Sequence, residues 1–191
     1  MHVNKIMSIG AGFAVFALLM MSTVWAGSPQ AADDAQVVND FEARVSRYTE
    51  LRKREAGSPK PTNSATKLAE IRDQLAEKIR ADRAEARQGD IFTPEIAAYF
   101  RRQLAATLAG HSGAKIRASL RHAEPIHAMP LQVNAKYPQK VPLQSTPPTL
   151  LLNLPALPKE LQYRIVGRAL VLYDPGTDLI VDFMEAALSS E

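Results

Sequence analysis

The chain has no cysteine. It can therefore form no disulfide and no thiolate site, and it lacks the residue needed for lipid attachment at a cleaved amino terminus. Stability has to come from packing. There is little excess of charge: 23 Lys+Arg face 20 Asp+Glu, a formal net charge of +3. A balance this even does not suit a nucleic-acid partner, and none is expected. Several catalytic signatures are missing too. No Gly-x-Ser-x-Gly elbow, Gly-rich phosphate loop or dinucleotide fingerprint occurs. No catalytic residues and no cofactor are therefore expected.

What is present begins at the amino terminus. Lys5 supplies positive charge, and an uncharged apolar run follows from Ile6 to Trp25. Val24-Trp25-Ala26 places compact residues where a cleavage site needs them. Residues 1–26 thus have the layout of a secretory signal peptide. A rival reading is an uncleaved anchor, because about twenty uncharged residues suffice to span a bilayer. Either way the body is expected on the exported side: periplasmic, or anchored to the inner membrane and facing the periplasm. Cleavage would remove Lys5 and leave about 165 residues with 22 Lys+Arg against 20 Asp+Glu. That is the size of one domain.

Residues 27–36 read as a flexible leader, and residues 37–191 as a single α+β domain. Its helical part is 37–123. Val37, Phe41, Val45, Tyr48 and Leu51 recur at three- and four-residue steps, predicting an amphipathic helix over about Asp34–Ala56. Gly57 to Pro61 breaks it. Leu68, Ile71, Leu75 and Ile79 predict a second helix over about Ser64–Gln88. Thr93-Pro94-Glu95 is a strong helix start, with a capping Thr, Pro at the first position and an acid near the positive end. That third helix is expected to end at Gly110. For Ile116–His122 a short helix and an extended piece remain open.

The text changes character at Pro125. Residues 125–191 form a Pro-rich and β part. Met129, Leu131, Val133 and Ala135 alternate as a strand would. Leu161–Val166, Ala169–Tyr173 and Asp178–Met184 predict a three-stranded antiparallel β-meander, joined at Gly167-Arg168 and at Asp174-Pro175-Gly176-Thr177. Glu185–Leu188 fits a last helical turn. The fold class is thus α+β, amphipathic helices first and the meander after them. The third helix should cross the sheet, with the first two as an antiparallel hairpin that projects or docks loosely, and Pro138–Pro158 over the core.

Two segments, Gln88–Glu95 and Tyr163–Phe183 with its Val166-Gly167-Arg168 turn and Ile180-Val181-Asp182 close, resemble small exported bacterial proteins of uncharacterised function. The likeness spans roughly Asp40 to Leu188 and implies export but no activity. The ending, from Leu157-Pro158 through Tyr163 to Ile180-Val181-Asp182, is also similar to the β tail of RcnB-like periplasmic proteins of metal homeostasis.

Few side chains stand out as chemistry. His111, His122 and His127, with Glu124, are candidate metal ligands by residue type. No two sit at helical ligand spacing, and Pro125 interrupts the last pair. Asp174, Asp178 and Asp182 fall near one hairpin, as paired carboxylates would. Turn chemistry accounts for the first two, and Asp182 is expected to pair with Arg164 or Arg168. The basic cluster containing Arg44 and Arg47 is suited to anionic headgroups or acidic envelope polymers, and the helical seam holding Phe41 and Leu75 to a partner helix. Phe41, Arg44, Arg47 and Leu75 are therefore the interface candidates. The leading expectation is an exported, non-enzymatic module that binds a protein or an envelope component, or touches the membrane surface. A periplasmic metal or envelope-stress accessory protein is the alternative, and an envelope hydrolase a second.

Overall fold

Capping chemistry sets the helix starts. In the computed structural model, which describes residues 29–58, 60–122, 130–137 and 146–188, helix α1 spans Pro29–Ala56 and α2 Ala65–Asp82. Helix α3 spans Pro94–Ala109, α4 Gly113–His122 and α5 Pro148–Leu151. Ser64 accepts a hydrogen bond from the Lys67 N–H at the start of α2 (3.4 Å), and Thr93 does the same for Ile96 in α3. Gly110 closes α3 as expected. Strands β1 (Gln162–Val166), β2 (Ala169–Asp174) and β3 (Leu179–Met184) form one antiparallel sheet in the order β1-β2-β3.

The α+β class and the meander are as the sequence reads. Gly167 turns at φ 59° between the paired residues Val166 and Ala169. The next turn is built on Asp174, whose Oδ1 accepts the Gly176 N–H (2.8 Å). The signal or anchor segment, 1–26, lies outside the described residues. Among those residues no helix is long and apolar enough to cross a membrane.

Several boundaries differ. Residues 29–36 are helix, not flexible leader: Pro29 suits a first helical position, and Ala31, Ala32 and Ala35 are strong helix formers. Helix α2 stops at Asp82 rather than Gln88, because Arg83 leaves helical geometry (φ −113°, ψ 30°). Its guanidinium donates to the Asn134 side-chain oxygen (3.0 Å) and to the Val181 carbonyl (2.9 Å). The open choice at 116–122 resolves as helix α4. No regular strand forms over 131–135, since Asn134 adopts φ 64°. Instead residues 134–137 hydrogen-bond to the free edge of β3, with one bridge from Lys136 to Leu179. Residues 185–188 make a non-helical turn through Ala186 at φ 48°.

The sheet is covered on both faces. The inward side chains of β1 and β2 join Phe41 and Val45 of α1, Ile79 of α2, Ile96, Phe100 and Leu104 of α3, and Leu150 of α5. Phe41, Phe92, Phe100 and Tyr163 form a ring cluster with centroid separations of 4.9 Å (Phe41–Phe100) to 6.5 Å (Phe41–Tyr163). Each ring is worth roughly 2–3 kcal/mol of burial. Helix α1 is therefore docked as firmly as α3, against the expectation of a loose hairpin. The described part of the Pro-rich stretch, Thr146–Pro158, lies over this core through Leu150 and Leu154. On the other face Tyr137, Val171, Tyr173, Ile180 and Phe183 pack with Leu131 and Val133.

A β-bulge joins the two layers. Leu172 pairs with Asp182 and Tyr173 with Ile180, so Val181 is an extra residue on β3. The insertion turns Val181 and Asp182 to the same, helix-facing side. Asp182 is fully buried there. Its Oδ2 accepts the N–H groups of Ile91 (2.7 Å) and Phe92 (2.8 Å). Its Oδ1 accepts those of Gly89 (3.0 Å) and Phe183 (2.8 Å). The expected pairing with Arg164 or Arg168 does not occur. Arg164 stacks on Tyr173, and Arg168 donates to the Leu188 carbonyl. Burial pushes the Asp182 carboxyl above the ordinary carboxylate range, against the pull of the four donors. Gly89 has φ 91°, which no side chain adopts easily, so the connection needs glycine there.

Asp182→Asn keeps the shape but turns an amide donor toward N–H donors. We expect it to lose on the order of 2–3 kcal/mol in urea unfolding. A change within error would mean that water or relaxation satisfies those amides.

Candidate functional site

The stripe Leu68, Ile71 and Leu75 continues along α2 beyond the area that α1 covers. Ile79 is fully buried, Ile71 and Leu75 are half-buried, and Leu68 is 52% exposed. These three side chains line a cleft of about 530 Å³ between α2, the carboxyl end of α1 and the β2–β3 turn at Gly176. Its size suits several buried side chains or a small molecule. Arg52, Arg72 and Lys78 line it as cations, against Glu55. Lys78 reaches the Glu55 carbonyl (3.3 Å), and Arg54 bridges Glu55 and Asp82. Arg72 is exposed and makes no hydrogen bond or ion pair among the described residues.

The far wall is fixed by a buried polar cluster. Asp174 is inaccessible to solvent, and its Oδ2 accepts from the Tyr48 hydroxyl (2.9 Å) and from Arg52 Nε (2.7 Å). Burial, with the Asp174 charge beside it, pushes the Tyr48 phenol far above its ordinary value. The hydroxyl therefore stays protonated and donates. Arg83 lies over the other side of the Tyr48 ring, 5.1 Å from its centroid. A side chain at Gly176 would overlap the Arg52 guanidinium, which would have to shift from its place against the turn. Helix α1 is thereby tied to the β2–β3 turn, and the cleft wall is rigid.

The interface candidates separate. Leu75 lines the cleft. Phe41 is fully buried in the ring cluster and presents nothing to a partner; its place in the periodic seam reflects core packing. Arg44 and Arg47 sit on α1 at another recess, away from the cleft lining. Leu68, which the sequence offers only as one member of a stripe, is the most exposed apolar residue at the cleft. Its signal is position: it is the first large apolar residue of α2, at the end where α1 runs out.

Among the described residues the remaining candidates do not converge. His111 is exposed in the α3–α4 turn; the His122 side chain and His127 lie outside the described residues. Among the described residues no group of three or more His, Asp or Glu could hold a metal ion. The three hairpin aspartates serve separate structural roles: Asp178 accepts from the Tyr173 hydroxyl (2.6 Å), while Asp174 and Asp182 are held as above. A second groove, of about 520 Å³, runs between α5 and β1. Its lining is mostly aliphatic, and the Thr146 hydroxyl there already bonds the β1 edge at Ile165 (3.1 Å).

Removing the acceptor of the buried cluster should be costly. Asp174→Ala leaves the Tyr48 hydroxyl and Arg52 without their partner, and we expect a loss of about 3 kcal/mol. Tyr48→Phe should lose only about 1 kcal/mol. Thermal unfolding of both variants checks the order, and equal losses would mean that the hydroxyl is the dominant member.

Comparison with known protein families, with curated proteins and with solved structures finds no match, so the site is read from its own geometry.

Proposed function

We propose that the chain is an exported, non-enzymatic binding module, and that the cleft between α1 and α2 receives an acidic, amphipathic segment of a partner protein. The observation that carries this reading is Leu68, half exposed at the open end of an apolar stripe that lines a cleft with a rigid wall. Single exposed apolar residues are ordinary on protein surfaces. Here three successive positions of one helix face share a concavity, as anchor sites for an amphipathic partner do. The surrounding Arg52, Arg72 and Lys78 favour acidic residues beside the apolar anchors. Export rests on the amino-terminal pattern of residues 1–26.

The test is crosslinking in the native cell with a carboxyl-terminally tagged copy, followed by identification of what is captured. Leu68→Asp should abolish capture of a dominant partner and leave unfolding unchanged within about 0.5 kcal/mol, as for a surface substitution. Phe41→Asp should instead prevent folding. Capture that survives Leu68→Asp, or the absence of any enriched partner, would contradict the reading.

A further inference from the structure

A second recess, of about 180 Å³, lies where α1 meets the α2–α3 connection. Three guanidinium groups line it, those of Arg44, Arg47 and Arg83, together with Tyr48 and a single carboxylate residue, Asp90. Two of the three are held in place. Arg44 uses Nε on Asp40 (2.9 Å) and Nη1 on the Asp90 carbonyl (2.6 Å), leaving Nη2. Arg83 uses both terminal nitrogens, on Asn134 and Val181, leaving Nε. Arg47 is exposed and makes no hydrogen bond or ion pair among the described residues.

The charges facing these groups come from three elements. Asp40 on α1 balances Arg44. Asp182 on β3 lies within electrostatic reach of Arg83, but its oxygens are taken by backbone N–H groups. Asp90, in the connection, accepts the Arg87 N–H (2.8 Å). The lining carries three cations and one carboxylate, with Asp40 offsetting Arg44 from just outside it, and its unused donors belong to planar groups that suit tetrahedral oxyanions. The recess is well below the size that holds a peptide or a drug-like ligand, but it can hold one such anion.

We infer that Arg44, Arg47 and Arg83 form a binding site for a single phosphate-type oxyanion, either free or as the headgroup of an anionic lipid. The site is separate from the α1–α2 cleft and does not depend on what the cleft binds.

The test follows the arginine Nε–H resonances of the full chain during titration with inorganic phosphate at constant ionic strength. A parallel flotation assay uses vesicles of phosphatidylglycerol with phosphatidylcholine. Arg47→Gln is the probing variant, because Arg47 supports nothing in the fold; Arg87→Gln is the control. Saturable shifts at Arg44 and Arg83, weakened roughly tenfold by Arg47→Gln, would establish a free oxyanion site. Vesicle binding lost in Arg47→Gln, without a response to phosphate, would establish the lipid headgroup as the source. No response to either probe, or equal effects of the two variants, would overturn the site.

Discussion

A buried carboxylate, placed by a one-residue insertion in β3, fixes the α2–α3 connection to the sheet and so sets how the two layers meet. Without the bulge at Val181, strict alternation would turn Asp182 to the opposite face of the sheet. With it, the side chain meets a row of backbone N–H groups between α2 and α3, where no secondary structure satisfies them. Buried donors left unpaired cost about 1–3 kcal/mol each, so the carboxylate is matched to its surroundings. The connection is then fixed in space, and with it the ends of α2 and α3. Phe92, one residue from Ile91, is thereby delivered into the ring cluster with Phe41 and Phe100.

The second polar contact repeats this logic at the β2–β3 turn. Asp174 ends β2, organises the following turn through Gly176, and draws in Tyr48 and Arg52 from α1. The two aspartates thus pin the helical layer at two separated points, and hydrophobic packing fills the space between them. The cleft owes its form to this arrangement. Its walls come from α1, α2 and the β2–β3 turn, and the Asp174 contact ties α1 to that turn. A preorganised cleft loses less entropy when it is filled, in line with the binding role proposed for it.

Much of the fold was legible because its signals are local. Thr93-Pro94-Glu95 and Gly110 delimit α3 through capping chemistry alone. Gly167 and the Asp-Pro-Gly turn space the three short apolar runs that become the strands. What was not legible depends on partners far away in sequence. Helix α2 ends early because Arg83 finds Asn134 and Val181, which no window around Arg83 contains. Asp182 looked like half of a cross-strand ion pair, because the bulge that redirects it leaves no mark in composition. Periodicity showed that Phe41 and Leu75 belong to one apolar seam, but not that the former is core and the latter lines a cleft. Arg44 and Arg47 stood out as a cluster on α1; Arg83 completes their recess only through tertiary packing.

The dependence of the whole structure on the Asp182 contact can be measured directly by native-state hydrogen exchange at the Ile91 and Phe92 amides. These N–H groups lie in no helix or strand, so in an isolated connection they would exchange quickly. If the carboxylate joins the layers into one cooperative unit, they will exchange as slowly as the amides of the central strand β2, through global unfolding. Fast exchange at Ile91 and Phe92, with β2 protected, would contradict it and show that the helical layer opens independently of the sheet.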